Sequence, residues 1–157
     1  MDLMTELLIK RAENEIITAE KLKRMSEDFE AKIFMEIPKD ITFYSSVISH
    51  AYYSIFYSAR ALLLTKNITV ASPNVHSKTL KEFKKQFVNT GILDKKLFEI
   101  YQDILIKADS LLQIFKDEKW KRGNFTYNTI SQANKQPAEE SLENAKLFVS
   151  SIRAIIY

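Results

Sequence analysis

Residues 49–64 of this 157-residue chain read SHAYYSIFYSARALLL. Between Phe43 and Leu64 the sequence has no glycine, proline or acidic residue. At helical period, apolar and small side chains cover most of the circumference of this segment, which is typical of a helix enclosed by neighbouring helices. Small residues that let neighbours approach closely recur at three- and four-residue spacing: Ala51, Ser54, Ser58 and Ala61. The segment therefore predicts a buried central helix, and its histidine, tyrosines and arginine make it the expected place of a functional site.

The composition indicates an all-α protein. With 2 glycines and 3 prolines, the chain favours long uninterrupted helices over a turn-rich β fold. Its length is sufficient for one domain, predicted as residues 1–157, with a core of its own. The absence of cysteine excludes disulfides, thiol catalysis and cysteine-ligated metals. Because the sequence has no run of about 18 apolar residues and no signal-peptide pattern at its start, we expect a cytoplasmic protein that does not associate with a membrane.

Periodic apolar residues predict one long helix before the central one. It runs from about Leu3 to Phe29 and buries a single stripe: Leu8, Ala12, Ala19, Leu22, Met25 and Phe29. Residues 31–40 read as a connector that packs onto the core through Phe34, Met35 and Ile37. Asp40 or Thr42 is the expected N-cap of the central helix.

Three more helices are predicted after the central one. A short third helix starts with Ser72 as N-cap and Pro73 at its first position, and it ends at Gly91. The fourth helix is capped by Asp94 and carries a heptad seam: Leu97, Tyr101, Ile104, Ala108, Leu111 and Phe115. The last helix starts at Pro137 and repeats that spacing: Ala138, Leu142, Ala145, Val149, Ile152 and Ile156. The pattern predicts an up-and-down four-helix bundle with one extra short helix.

Several kinds of catalytic or cofactor site are not supported by the sequence. A carboxylate-bridged metal site in a bundle needs Glu-x-x-His on two helices, but Val47 and Pro73 stand three residues before His50 and His76. Two isolated glycines cannot build a phosphate-binding loop. Chain order does not exclude a Ser-His-Asp triad, but no motif marks one. We expect neither a metal nor a cofactor.

The polar residues of the central helix are the leading site candidates: His50, Tyr53, Tyr57 and Arg60. His50 is either a hydrogen-bonded structural residue or a ligand and proton donor. The tyrosines either belong to the core or form part of a binding surface. Arg60 requires an anionic partner, either an internal carboxylate such as Asp109 or a bound phosphate. His76 in the next predicted helix is a further candidate.

Basic residues form two groups. Between positions 78 and 96 there are six lysines, at 78, 81, 84, 85, 95 and 96, against Glu82 and Asp94, a local excess of +4 in a chain with net charge +3. A second group flanks the long loop predicted at 120–136: Lys116, Lys119, Lys121 and Arg122, beside Trp120, Phe125 and Tyr127. Basic residues beside aromatic rings suit single-stranded RNA, although lysine rows are also common on solvated helix faces. Lys81 and Lys85 are the RNA-binding candidates from the first group.

The central stretch resembles a known family. Residues 50–63 are similar to the central helix of short bacterial and archaeal HEPN-domain proteins, which reads roughly Arg-Ala-Tyr-Tyr-Ala-x-Phe-His-Ala-Ala-Arg-Ala-Leu-Leu. The resemblance extends over about Arg11 to Ile155, through matches at His76 with Phe83, at Ala108-Asp109 and at Ala145 with Phe148-Val149. It implies a helical-bundle fold, which agrees with the periodicity.

The resemblance also implies RNA or nucleotide biology. Many family members are ribonuclease toxins, often dimeric and paired with a small nucleotidyltransferase. Their signature is an arginine followed, after four to six residues, by a histidine, and the pair works across a dimer groove. Here His50 takes the place of that arginine and Tyr57 that of the histidine. Tyrosine, with an ordinary pKa of about 10, is a poor general base near neutrality.

We therefore expect a homodimeric HEPN-like protein that is a non-catalytic or degenerate member of a toxin-antitoxin-type pair. It would bind a nucleotidyltransferase partner and carry nucleotide or RNA along its central helix. One alternative is a metal-independent ribonuclease that uses His50 with Tyr57 or His76 in an altered arrangement. A second alternative is a helical assembly module without a ligand.

Overall fold

The computed structural model describes the backbone of residues 1–121 and 135–157 and the side chains of residues 1–109 and 135–157. Its helices are α1 (Leu3–Glu27), α2 (Phe29–Phe34), α3 (Tyr44–Leu64), α4 (Val75–Phe83) with a following π-helical turn (Lys84–Val88), α5 (Lys95–Lys121) and α6 (Lys135–Ile156). No strand occurs in these ranges, which confirms the all-α prediction. The long helices α1, α5 and α6 all pack on α3. None of the described helices is long and apolar enough to cross a membrane.

Helix α3 is the centre of the core. The small residues predicted to allow close approach are completely buried, namely Ala51, Ser54, Ser58 and Ala61. The Ser54 hydroxyl donates to the carbonyl of Ala51 at 2.7 Å, and the Ser58 hydroxyl donates to the carbonyl of Ile55 at 2.9 Å. Because both hydroxyls are satisfied within α3, they fit the core as small residues without an unpaired polar atom.

Helix α2 begins at Phe29, within the predicted first helix, and extends into the segment predicted as a connector. The Asp28 carboxylate caps this helix by accepting the N–H groups of Glu30 and Ala31, and the bond from Ala31 is the main cause of the lowered pKa of Asp28. The buried position of α2 is taken by Lys32, whose ammonium donates to the carbonyls of Lys39 and Ile41. The predicted burial of three apolar residues is therefore wrong, since these side chains are exposed: Phe29 by 59%, Phe34 by 85% and Met35 by 54%.

The start of α3 is held by α1. The expected caps, Asp40 and Thr42, do not occupy the N-cap position, which is Phe43. The N–H of Phe43 donates to the Ser26 hydroxyl at 2.7 Å, so a side chain from the end of α1 replaces a local cap. The next residue, Tyr44, donates its hydroxyl to Glu27 at 3.2 Å, and burial together with this carboxylate raises the pKa of Tyr44 to about 12.

The later helix boundaries follow the sequence in part. Helix α4 begins at Val75 after a left-handed Asn74 (φ 59°), so the predicted start with Ser72 and Pro73 is wrong. Gly91 has the left-handed φ of 75° expected after the end of this segment, and the Asp94 carboxylate accepts the N–H of Lys96 at 2.8 Å as predicted.

The last helix is described from Lys135, two residues before its predicted start at Pro137. Proline is compatible with this position because the first-turn N–H groups have no partner within a helix. The side chains of Leu111 and Phe115 and of the basic and aromatic group from Lys116 to Tyr127 lie outside the described residues. Of the loop predicted at 120–136, the structure describes only residues 120–121 and 135–136, and these residues are helical.

Candidate functional site

Helix α3 leaves one stripe of its surface uncovered. From position 46 onward, every residue of the helix that keeps solvent access lies on this stripe: Ser46, Ser49, His50, Tyr53, Tyr57, Arg60 and Leu64. Spacings of three and four residues place these side chains on one face of a helix. The structure therefore brings together the four candidates predicted on α3, and we call this surface the α3 stripe.

One part of the α3 stripe pairs a histidine with a carboxylate. His50 Nδ1 lies 2.5 Å from Glu15 Oε2 of α1. The Glu15 side chain is only 17% exposed, so the pair is partly shielded from water. His50 thus has a structural partner, and the carboxylate beside it repels an approaching phosphate.

The middle of the α3 stripe is aromatic and cationic. The rings of Tyr53 and Tyr57 stack with centroids 6.0 Å apart and planes at 25°. The guanidinium of Arg11 on α1 lies 4.6 Å from the centroid of the Tyr57 ring, and that of Arg60 lies 5.5 Å from the Phe56 ring. Both distances are within the range of cation–π attraction.

The expected ion pair between Arg60 and Asp109 is not formed, and within the described residues Arg60 makes no ion pair. The aromatic face of Phe56 takes the guanidinium instead. The hydrogen-bond donors of Arg60 therefore remain free for an external anion. A bound phosphate is the second of the two partners that the sequence predicts for this residue.

His76 on α4 contacts α3 beside the α3 stripe, on the side away from α1. Its Nδ1 lies 2.6 Å from the Tyr52 hydroxyl, and its ring stacks on Phe56 with centroids 4.2 Å apart. Burial lowers the pKa of His76, and the positive charge of Arg60 lowers it further, against the opposing charge of Asp109. Burial likewise raises the pKa of Tyr52. Both groups are therefore neutral at pH 7.

The hydrogen bond between Tyr52 and His76 leaves one ring nitrogen of His76 free. Its direction depends on the tautomer of the imidazole, because a tyrosine hydroxyl both donates and accepts. Nε2 of His76 has no hydrogen-bond partner in the described part of the chain. This nitrogen can therefore contact a ligand, as a donor in one tautomer and as an acceptor in the other.

A cleft of about 500 Å³ lies between α3, α4 and α5 beside this histidine. It is lined by Ser49, Tyr52, Tyr53, His76, Ser77, Leu105, Ala108 and Asp109. Ser49 and Tyr53 belong both to this cleft and to the α3 stripe, so the two surfaces adjoin, and we call them together the groove. Within the described residues, no group of three or more histidine, aspartate or glutamate side chains could hold a metal ion.

Sequence reasoning missed the contributions of α1 and of the Tyr52 hydroxyl. Arg11 and Glu15 are four residues apart and therefore share a face of α1, but the sequence does not show that this face meets the α3 stripe. Lys81 and Lys85 lie outside the groove, on the exposed side of α4 and in the π-helical turn. Lys81 lines a separate cleft of about 470 Å³ beside residues 68–72.

Comparison with known proteins identifies related sequences. A family model described as the HEPN domain matches residues 5–155. A Methanocaldococcus jannaschii protein named "Putative toxin MJ0605" is 34% identical over 110 residues, which are 70% of this chain and 69% of that protein. Another protein of that organism, "Putative toxin MJ0142", is 41% identical over 81 residues, 48% of this chain and 53% of its own length. A "UPF0332 protein" of Thermotoga maritima is 26% identical over 111 residues, 71% of each chain. No solved structure matches the chain.

Proposed function

The chain belongs to the HEPN domain family, and on that premise we propose that it is a toxin-type HEPN protein that binds single-stranded RNA in the groove along α3 without cleaving it. The toxin-type role is extended to this chain from the names of two relatives. The family resemblance inferred from residues 50–63 is confirmed by the match over residues 5–155.

The observation that carries the proposal is the stacked Tyr53–Tyr57 pair on an otherwise buried helix, in which Tyr53 is exposed and Tyr57 is half-buried beneath Arg11. Aromatic faces bind nucleobases of any sequence, and each stacked base contributes about 1–3 kcal/mol. Arg11 and Arg60 flank the tyrosines, and guanidinium groups form bidentate hydrogen bonds with phosphate oxygens. A single strand exposes both its bases and its phosphates. The tyrosine rings can stack with the bases, and the neighbouring arginines can bind the phosphates.

The residues at the positions of the family signature favour binding over cleavage. Metal-independent RNA cleavage needs a base that accepts the proton of the attacking 2′-hydroxyl. His50 stands in the place of the signature arginine and Tyr57 in that of the histidine, and a phenol is a weak base near neutrality. His50 and His76 each use Nδ1 in a hydrogen bond within the protein, which leaves Nε2 of each ring for a ligand.

The binding test uses two matched tyrosines. Tyr57 lies under Arg11, and Tyr157 lies under Arg153 at 5.7 Å, at the end of α6 and outside the groove. Fluorescence anisotropy with a short labelled single-stranded RNA is expected to give an affinity about 5–150-fold lower for Tyr57→Ala, the range that 1–3 kcal/mol corresponds to. Tyr157→Ala is expected to bind like the wild type. An equal loss in both variants, or no binding by the wild type, contradicts the proposal.

The cleavage test separates this proposal from the ribonuclease alternative. The RNA is expected to stay intact during incubation with the protein in EDTA. Cleavage that survives EDTA and disappears in His50→Ala or His76→Ala would establish the metal-independent ribonuclease instead. Absence of both binding and cleavage would favour the helical assembly module.

Two partners are part of the proposal. A second copy of the chain is expected, since family members are often dimeric, and sedimentation at micromolar concentration tests for it. A small nucleotidyltransferase is the expected protein partner, also on the ground of the family resemblance. Co-purification with a nucleotidyltransferase encoded beside the gene tests this pairing, and its failure leaves the RNA-binding proposal to be judged by its own experiment.

A further inference from the structure

The segment that contains α4 and the π-helical turn holds the positive charge of the molecule. Residues 78–96 carry six lysines and two acidic residues, so their net charge is +4. The whole chain has a net charge of +3, so all remaining residues together carry −1. A charge that is concentrated in this way creates a local positive potential, which attracts polyanions.

Four lysines of this segment lie close together in the sequence. On α1, α5 and α6, lysine ammonium groups pair with carboxylates: Lys23 with Glu27, Lys107 with Asp103 and Glu140, and Lys146 with Glu20 and Glu143. Among the described side chains of these helices, the lysines without an ion pair are isolated from one another. Within the described part of the chain, Lys78, Lys81, Lys84 and Lys85 have no ion pair and lie within eight residues, and we call these four side chains the lysine face.

The one carboxylate within the lysine face does not neutralise it. Glu82 accepts a hydrogen bond from the Gln86 amide at 3.3 Å. Lys84 lies over the Phe98 ring at 5.1 Å, and Lys78 donates to the carbonyl of Ala71 at 3.4 Å. These weak contacts leave the positive charges uncompensated, and side chains without ion-pair partners lose no existing pair when an external anion binds.

The backbone at the lysine face is also irregular. The five residues from Lys84 to Val88 form a π-helical turn directly after α4. Such turns are rare and occur frequently at functional sites. The neighbouring cleft of about 470 Å³ is lined by Lys78, Lys81 and Glu82 together with residues 68–72.

We propose that the lysine face binds the phosphodiester backbone of the RNA strand whose bases stack on the α3 stripe. This inference rests on the proposed function. The first turn of α4 connects the two surfaces, because His76 and Ser77 line the groove while Lys78 and Lys81 line the next cleft. A strand that leaves the groove at His76 therefore meets the lysines in chain order. The lysine face adds affinity without base specificity, since it contacts only phosphates.

The salt dependence of RNA binding tests the inference. Each phosphate contact of a single strand contributes a slope of about −0.7 in log K against log salt concentration. Removing two contacts in Lys81→Gln/Lys85→Gln is expected to reduce the slope by about 1.4, which corresponds to about 25-fold weaker binding at 0.1 M salt and to convergence with the wild type toward 1 M. The matched control, Lys21→Gln/Lys39→Gln, removes the same charge from exposed positions outside α4 and is expected to keep the wild-type slope.

Each outcome has a distinct meaning. A Tyr57-dependent affinity with an unchanged slope in Lys81→Gln/Lys85→Gln overturns the inference and leaves the proposed function standing. The same loss of slope in the control pair also overturns it, because the effect would then come from net charge alone. Unchanged RNA binding with lost co-purification of a protein partner would assign the lysine face to an acidic protein. Wild-type protein that binds no RNA overturns the proposed function and the inference together. Unchanged circular dichroism and thermal midpoints in both double variants ensure that binding is compared between folded proteins.

Discussion

Polar side chains on the two sides of α3 find their interaction partners in different places. On the buried side, Ser54 and Ser58 donate to carbonyls of their own helix, so no neighbour has to supply a partner. On the α3 stripe, His50 and Tyr57 interact with side chains of α1. The buried side is therefore specified by its own sequence, whereas the chemistry of the α3 stripe depends on the helices that pack around it.

The two histidines beside the α3 stripe extend this comparison. His50 faces the carboxylate of Glu15, whereas His76 faces the neutral hydroxyl of Tyr52. The charges that act on His76 come from Arg60 and Asp109 and oppose each other. Because their partners differ, an anionic ligand that approaches His50 meets the carboxylate of Glu15 beside it, whereas one that approaches His76 meets a neutral hydroxyl.

The largest expected effects are losses of stability when buried side chains are truncated, and the first of them compares the buried side of α3 with the α3 stripe. Ile55 is completely buried, and Ile55→Ala removes core methyl groups and leaves a cavity, so the free energy of unfolding is expected to fall by about 2–5 kcal/mol. Tyr53→Ala, two residues away on the α3 stripe, is expected to cost less than about 1 kcal/mol because its side chain is 39% exposed. Denaturant unfolding measures both values. Equal costs would mean that the stripe is as tightly packed as the core.

A smaller effect, an increase in RNA affinity, tests the role of the carboxylate beside His50. Glu15→Gln removes a negative charge from the groove, and RNA affinity is expected to increase by up to about fivefold, the effect of about 1 kcal/mol between charges near 4 Å in water. Glu20→Gln is the control, because Glu20 also lies on α1 but pairs with Lys146 at 2.8 Å. Fluorescence anisotropy compares the two variants. A weaker affinity in Glu15→Gln would show that the carboxylate holds the groove in its binding shape.

The positions of the α3 stripe could be predicted from the sequence because they depend on helical period alone. His50, Tyr53, Tyr57 and Arg60 are spaced three, four and three residues apart, and this spacing holds in any helix. Their partners could not be predicted in this way. Which face of α1 meets α3 depends on how the whole core packs, and neither helix encodes that rotation locally.

Local sequence signals gave wrong predictions at the start of α4 and in α2. Ser72-Pro73 is a strong start signal, yet α4 begins two residues later at Val75. Phe34 was expected to pack because it is apolar, but the buried place under α2 belongs to Lys32, whose ammonium is satisfied by two backbone carbonyls. A sequence pattern cannot reveal such a satisfied buried lysine, since hydropathy assigns lysine to the surface.

The titration of His76 sharpens the comparison between the two histidines. Because the pKa of His76 is lowered from 6.5, the unfolded chain binds a proton before the folded chain does as pH falls. The stability contributed by neutral His76 is therefore complete above pH 6.5 and is lost as pH falls from 6.5 through the folded-state pKa. Denaturant unfolding between pH 7.5 and pH 5 is expected to give a weaker pH dependence for His76→Gln than for the wild type. NMR titration of the His76 ring with a midpoint above 6.5 would contradict the assigned neutral state.

The smallest expected effect concerns an aromatic residue that the core does not use. Phe34 is 85% exposed, so Phe34→Ser removes little buried surface, and the free energy of unfolding is expected to change by no more than about 0.5 kcal/mol. Phe83, by contrast, is completely buried, and truncation of a buried phenylalanine costs about 3–5 kcal/mol. Denaturant unfolding of Phe34→Ser and Phe83→Ala at two protein concentrations measures both. A large cost for Phe34→Ser that grows with protein concentration would mean that a second copy of the chain covers α2, so that burial in the assembly, and not in the single chain, explains why a phenylalanine stands there.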